Sequence, residues 1–248
     1  MNYISKDRLY TLLSILVLII IWKVSSYFIG YELILPTPEE TTNSLITIIK
    51  GEAFWQIVFN TVRRCLLSFS ISFLLGTTMG IMAGMFRPVY YLLKPLVIIK
   101  KATPTTAIVL LVLLWLGSEA PILISFLVTF PIIYSNVVEG VRNVDIRIIE
   151  MARAYKVNKA RILYELYLPS ILPYIMAGAS SALGLNLKVI IAAEAWSQAP
   201  KSIGDSFLIE KISLNTSGIF AWTIVVILIS AAFDYLLRYI EKRTVKWK

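Results

Sequence analysis

The 248-residue chain has no histidine and a single cysteine, Cys65. An intrachain disulfide is therefore excluded, and a zinc site of imidazoles or clustered thiolates lacks its ligands. Charge is scarce as well, with 16% of residues charged against 58% hydrophobic and a mean hydropathy of +0.76. That balance is too apolar for an ordinary water-soluble domain and points to a lipid solvent. No Gly-x-x-x-x-Gly-Lys-Ser/Thr loop occurs, so the chain has no phosphate cradle of its own and any nucleotide energy comes from another polypeptide.

What is present is a series of apolar runs. A bilayer core of roughly 30 Å needs about 20 apolar helical residues. Six stretches qualify, near Leu9–Ile29, Ile57–Met85, Leu96–Leu116, Pro121–Val138, Ile171–Ala193 and Gly218–Ile240. Backbone polar groups in lipid must bond within their own segment, so each is read as a helix. The expected fold is an all-α membrane protein forming one domain over 1–248, with an N-terminal span at 9–29 and core spans over 57–240. The first run follows Lys6 and Arg8 and exceeds the 7–15 apolar residues of a cleavable signal, so it is expected to stay as a span.

Net charge is +9, but the cations sit in short segments between apolar runs and not on one soluble face, which argues for topology and against nucleic acid. With the N-terminus inside, seventeen of the 24 Lys and Arg fall on the inner side, from Lys6 and Arg8 to Lys246 and Lys248. Only Lys50, Arg63, Arg64, Lys201 and Lys211 fall outside, with Lys23 and Lys188 within spans. This asymmetry places both termini in the cytoplasm. On the outer side, Leu35-Pro36-Thr37-Pro38-Glu39-Glu40 reads as a turn opening a short helix to about Ile49. Gly76, Gly80 and Gly84 form a groove for close helix approach, either within the subunit or between two copies.

The segment 143–170, between the fourth and fifth apolar runs, has a different character. Asp145 is an N-cap for a helix from Ile146 on which Ile148, Met151, Ala152 and Tyr155 share one arc, with Arg147, Glu150, Arg153 and Lys156 around the rest. Such a short amphipathic helix fits either an anionic lipid leaflet or a protein partner.

Glu150-Met151-Ala152, followed by Leu166, Leu168 and Pro169, resembles the EAA motif of type I ATP-binding-cassette importer permeases, whose pattern is Glu-Ala-Ala, a glycine, then Ile-x-Leu-Pro. Leu35-Pro36-Thr37-Pro38, Pro104 with Ala107, Trp115-Leu116-Gly117, Ala193-Glu194 and Ser202-Ile203-Gly204 are similar to the nitrate, sulfonate and taurine branch of that family. The resemblance implies a coupling helix carrying Glu150, Met151, Ala152, Arg153, Tyr155 and Lys156 that seats in a separate ATPase subunit, the holder of ATP and magnesium. It also implies an extracytoplasmic binding protein and a permease homodimer in the membrane lipid, with no cofactor in this chain. Its cargo would be a small anion such as a sulfonate, taurine, nitrate or bicarbonate, or, as in other relatives, a vitamin precursor or other organic solute. Lys156 departs from the pattern by standing where the family has glycine; lysine resists positive φ, so Asn158 is expected to take the turn.

Three polar residues of the fifth run complete the candidate site. Lys188, near Asn186, is costly in hydrocarbon, so it either lines the translocation path and attracts an anion or pairs with a carboxylate on another span. Glu194 is a partner for Lys188 or Lys23, or a gate at the outer end, and Lys23 beside Trp22 and Tyr27 is expected to reach the outer interface. Two other functions stay open on composition alone. An intramembrane enzyme would use Lys188 and Glu194, although no nucleophile-plus-base set accompanies them, and a membrane scaffold would use the amphipathic helix.

Overall fold

The structure, a computed structural model, describes residues 3–244; Lys246 and Lys248 of the charge tally lie outside it. Among the described residues every regular element is helical: α1 (Tyr3–Ile29), α2 (Pro38–Lys50), α3 (Phe54–Met85), α4 (Arg87–Ala102), α5 (Thr105–Leu116), α6 (Ala120–Arg142), α7 (Ile146–Ala154), α8 (Lys159–Ile162), α9 (Leu168–Ser197), α10 (Ile203–Ile212) and α11 (Thr216–Thr244). Five stretches are long and apolar enough to cross a membrane: Leu9–Ile29, Phe54–Met85, Thr105–Arg142, Ala160–Ser197 and Thr216–Glu241.

The expected run Leu96–Leu116 is not one helix. Pro104 disfavours helical ψ at the residue before it, and Thr103 takes φ −75°, ψ 128°, ending α4 before α5 begins. Gly117 then adopts φ +53°, and a single 3₁₀ turn over Gly117–Glu119 leads into α6. The chain folds back, so Val112 of α5 packs with Ala120 and Ile124 of α6. Farther along α6, Tyr134 and Val138 meet Val89, Tyr90, Leu93 and Val97 of α4. Together α4 and α5 therefore accompany α6 along most of its 23 residues.

At the centre α6 lies between α3 and α9. A Cβ added at Gly76, Gly80 or Gly84 would stand 3.0, 2.7 and 2.5 Å from Ile133, Val137 and Val141 respectively. The glycine stripe of α3 is thus filled by α6 of the same chain, in a core continued by Ile171, Ile175 and Ala182 of α9. Close approach is reciprocated at Gly140, where a Cβ would lie 2.7 Å from Tyr174.

The short helix expected after the Leu35–Glu40 turn forms as α2, which opens with a capping box between Thr37 and Glu40 and has Pro38 in its first turn. Trp22 Nε1 donates to Pro36 O at 3.0 Å and Ser26 Oγ to Leu35 O at 2.8 Å, tying this turn to α1. Lys23 pairs with Glu39 and holds that carboxyl below its usual range.

Candidate functional site

Inside the bundle a polar seam runs along α3. Thr61, Arg64, Ser68 and Ser72 recur at intervals of three or four residues, which puts them on one helical face beside Cys65, and all five are buried. At the α10 end, Glu194 of α9 is 0% exposed and Arg64 6%. Arg64 Nη1 donates to Glu194 Oε1 at 3.1 Å, Thr61 Oγ1 donates to Oε2 at 2.9 Å, and the Gly204 amide donates to Oε2 at 3.3 Å. Thr61 in turn accepts from the Ile203 amide at 3.0 Å. The two short motifs Ala193-Glu194 and Ser202-Ile203-Gly204, far apart in character in the sequence, are one structural unit. Gly204 admits no side chain there, since a Cβ would lie 2.5 Å from Glu194 Cβ and Ala195 N.

Deeper in the bundle Asn186 performs a similar task. Ser68 Oγ donates to its Oδ1 at 2.9 Å, Ser125 Oγ of α6 donates to the same oxygen, and Asn186 Nδ2 donates to Cys65 O at 2.7 Å. Ser72 and Thr129 extend the seam with a hydroxyl pair at 2.7 Å. Every one of these groups is satisfied by a neighbour, as burial in a low-dielectric interior requires. Such a seam clamps α3, α6 and α9 together.

Two sequence expectations are corrected here. Glu194 pairs with neither Lys23 nor Lys188, because Arg64 occupies it. Arg64, counted in the sequence with the outer-side charges, is carried by α3 into the bundle and buried there. The helical recurrence of Thr61, Arg64, Ser68 and Ser72 is the sequence signal of this seam, on the same span as the Gly76, Gly80 and Gly84 stripe. Lys188 is exposed at the surface of the single chain and makes no ion pair among the described residues.

The 143–170 segment forms a second site. Asp145 Oδ1 accepts from the Arg147 amide at 2.9 Å and starts α7. Ile149 and Ala152 root it against Ile162, Val157 and Leu166. Ile148, Met151 (57% exposed) and Tyr155 (80% exposed) point away, so an apolar arc faces outward beside the exposed Glu150 and Arg153. A cavity of about 390 Å³ opens along this arc, bounded by Arg161 and Glu165.

Lys156, not Asn158, makes the turn, and this too corrects the expectation. Its φ is +54°, its amide donates to Arg153 O at 2.9 Å, and the Val157 amide donates to Ala152 O at 3.0 Å. That is a Schellman ending, with Val157 packed near Ala152. Asn158 instead caps α8 through its side chain, accepting from the Ala160 amide at 3.1 Å.

Leu168 and Pro169 begin α9 after a π turn over Leu163–Tyr167, in which the Leu168 amide reaches back to Leu163 O. Pro169 has no amide hydrogen and its ring crowds the carbonyl of Glu165, which explains the widened turn before it. Val144 and Tyr167 touch both the α7 cluster and the α6–α9 core, so the segment is mechanically continuous with the spans.

Comparison with known proteins agrees with this architecture. Residues 76–246 match the family described as binding-protein-dependent transport system inner membrane component. The taurine transport system permease protein of Escherichia coli (strain K12) is 26% identical over 91% of this chain and 84% of its own length. The putative aliphatic sulfonates transport permease protein of the same organism is 30% identical, covering 93% of this chain and 88% of its own. Its counterpart in Bacillus subtilis (strain 168) is 27% identical over 94% and 85%. Among solved structures, an inward-facing MetNI methionine ABC transporter shares the fold with a TM-score of 0.62 at 19% identity, covering 77% of this chain and 94% of that one. The chain belongs to the family of binding-protein-dependent transport system inner membrane components, the permeases of ATP-binding-cassette importers.

Proposed function

We propose that two copies of this permease form a translocation path for a small organic anion of the sulfonate class. Separate ATPase subunits would drive the path, and an extracytoplasmic binding protein would load it. The observation that carries the proposal is α7: an apolar arc of Ile148, Met151 and Tyr155 turned outward, rooted by Ile149 and Ala152 and linked through Val144 and Tyr167 to the spans. Seated in an ATPase cleft, with Glu150 and Arg153 at its rim and Lys156, Leu166, Leu168 and Pro169 fixing its exit, such a helix would pass cleft closure to α6 and α9.

The same proposal takes α4 and α5 together as one broken span, giving six crossings and placing both termini and α7 in the cytoplasm, in accord with the lysine and arginine asymmetry. Substrate class is supported by the taurine and sulfonate relatives, which match over nine-tenths of the chain. Lys188, exposed on α9 within an apolar span, supplies a cation suited to an anion path; Asn186 and Glu194, enclosed in the seam, hold α9 in place behind it. The test is ATP-dependent uptake of taurine or a short alkanesulfonate into proteoliposomes holding the chain with its co-encoded ATPase and binding protein. Uptake that requires all three is expected. Uptake without the ATPase, or a chain that never associates with it, would refute the proposal.

A further inference from the structure

Where α4 meets the C-terminal end of α6, two neighbouring cavities of about 410 and 860 Å³ share Tyr90, Lys94 and Arg142. The wider one adds Arg87, and the only carboxylate lining either is Glu139. Three cations against one anion leave an unbalanced positive charge, and among the described residues none of the three pairs with a carboxylate. Arg142 lies over the Tyr90 ring at 3.7 Å, with Lys94 at 5.9 Å from it, so the ring gathers both cations at one spot. Tyr134, 3% exposed, lines the narrower cavity, and its buried hydroxyl makes no hydrogen bond. A buried unpaired hydroxyl is costly and marks a place where an acceptor belongs.

The shape of the site decides what that acceptor is. To the shared Tyr90, Lys94 and Arg142 the narrower part adds the apolar Val97, Ile98 and Val138, while the wider part adds Arg87. An amphiphile fits this division, with an anionic head among the cations and the root of an acyl chain along the apolar wall. A small hydrated anion would not use the apolar half. Exposed Leu92, Leu96 and Ile99 on α4 continue the apolar surface outward. Anionic headgroups attract basic side chains at this depth of the leaflet. We propose that this is a binding site for one anionic phospholipid of the inner leaflet, its phosphate held by Arg142 and Lys94 with the Tyr134 hydroxyl donating to a headgroup oxygen. The leaflet assignment rests on the orientation proposed above; lipid binding itself does not depend on transport.

The experiment uses the permease–ATPase complex purified in mild detergent, incubated with phosphatidylglycerol or phosphatidylcholine and read by native mass spectrometry. One retained phosphatidylglycerol per chain is expected, with phosphatidylcholine retained far less. Lys94→Gln and Arg142→Gln should each weaken retention about fivefold, the worth of one cation near such a headgroup. Tyr134→Phe should weaken it less, and Lys94→Arg should preserve it, which also shows that substitution at this position is compatible with assembly. Equal retention of the two lipids by the wild type, or unchanged phosphatidylglycerol retention in the Lys94→Gln/Arg142→Gln double variant, would overturn the site. So would displacement of the lipid by taurine at transport concentrations, which would assign the cavity to cargo.

Discussion

Arg64 and Glu194 stand 130 residues apart and meet at 3.1 Å in the interior, one from α3 and one from α9, with Thr61 and the Gly204 amide completing the carboxylate's shell. Removing one member of such a pair strands the other, whereas replacing both with apolar groups can be nearly neutral. Glu194→Ala is therefore expected to cost about 3–5 kcal/mol of stability. Arg64→Met combined with Glu194→Leu should recover a large part of that loss. Thermal unfolding of the purified chain in detergent measures both; a double variant no better than Glu194→Ala would show that the pair does not act as a unit.

Steric tolerance should divide the glycines sharply. Gly84→Ala would drive a methyl to 2.5 Å from Val141 and part α3 from α6, lowering the melting temperature. Gly184→Ala meets nothing within 4 Å and should raise it slightly, since alanine is favoured in a helix by about 1 kcal/mol. Comparable melting temperatures for the two variants would contradict the packing described for α3.

Lys156→Gly removes a side chain from a residue held at φ +54°. Glycine takes this φ without the strain a Cβ meets there, so the end of α7 should be stabilised by about 1 kcal/mol. The expected readout is slower amide exchange at Lys156 and Val157, the two amides bonded into α7, with ATPase association unchanged. Faster exchange there would mean the lysine side chain contributes something glycine cannot.

At the outward arc of α7, Tyr155→Ala and Met151→Ala should each weaken ATPase binding by about 2 kcal/mol, as truncation of a central interface side chain does. Ile148→Asp should abolish it. Glu150→Lys reverses a charge beside the arc and should lower assembly or transport without touching substrate capture by the binding protein. Co-purification of ATPase at wild-type yield with all four variants would remove α7 from the contact.

Lys188→Met replaces a cation that is exposed in the single chain and has no ion-pair partner among the described residues. Assembly and melting temperature should stay the same while uptake per complex falls. Lys188→Arg keeps the charge in a different shape and should retain part of the activity. Undiminished uptake in Lys188→Met would exclude the path role.

The span positions were legible because hydropathy reports burial in lipid directly, and the boundaries of α3, α6, α9 and α11 fall within a few residues of the apolar runs. The break at Thr103–Pro104 was not, because both sides of it are apolar and a hydropathy average passes over a local ψ change. Asp145 announced α7 correctly, since an N-cap is a local interaction between a side chain and the next few amides. The identity of Glu194's partner was hidden for the opposite reason: Arg63 and Arg64 count as outer-side charges until the helix phase of α3 is known, and only tertiary packing sets which of the two turns inward. Lys156 shows a third kind of failure, where a local preference against positive φ yields to two backbone hydrogen bonds and the burial of Val157.

The π turn over Leu163–Tyr167 accommodates one more residue than an α-helical turn would. Each residue of an α-helix advances the azimuth by about 100°. That surplus residue consequently sets the rotational phase of all thirty residues of α9 relative to α8. Were the turn to tighten to ordinary α geometry with α8 held, the helix beyond it would have to rotate as a rod, carrying Asn186 and Glu194 out of the seam and turning Lys188 away from the face it now occupies. The widened turn before Pro169 is therefore the element that sets which face of α9 enters the seam and which face presents Lys188.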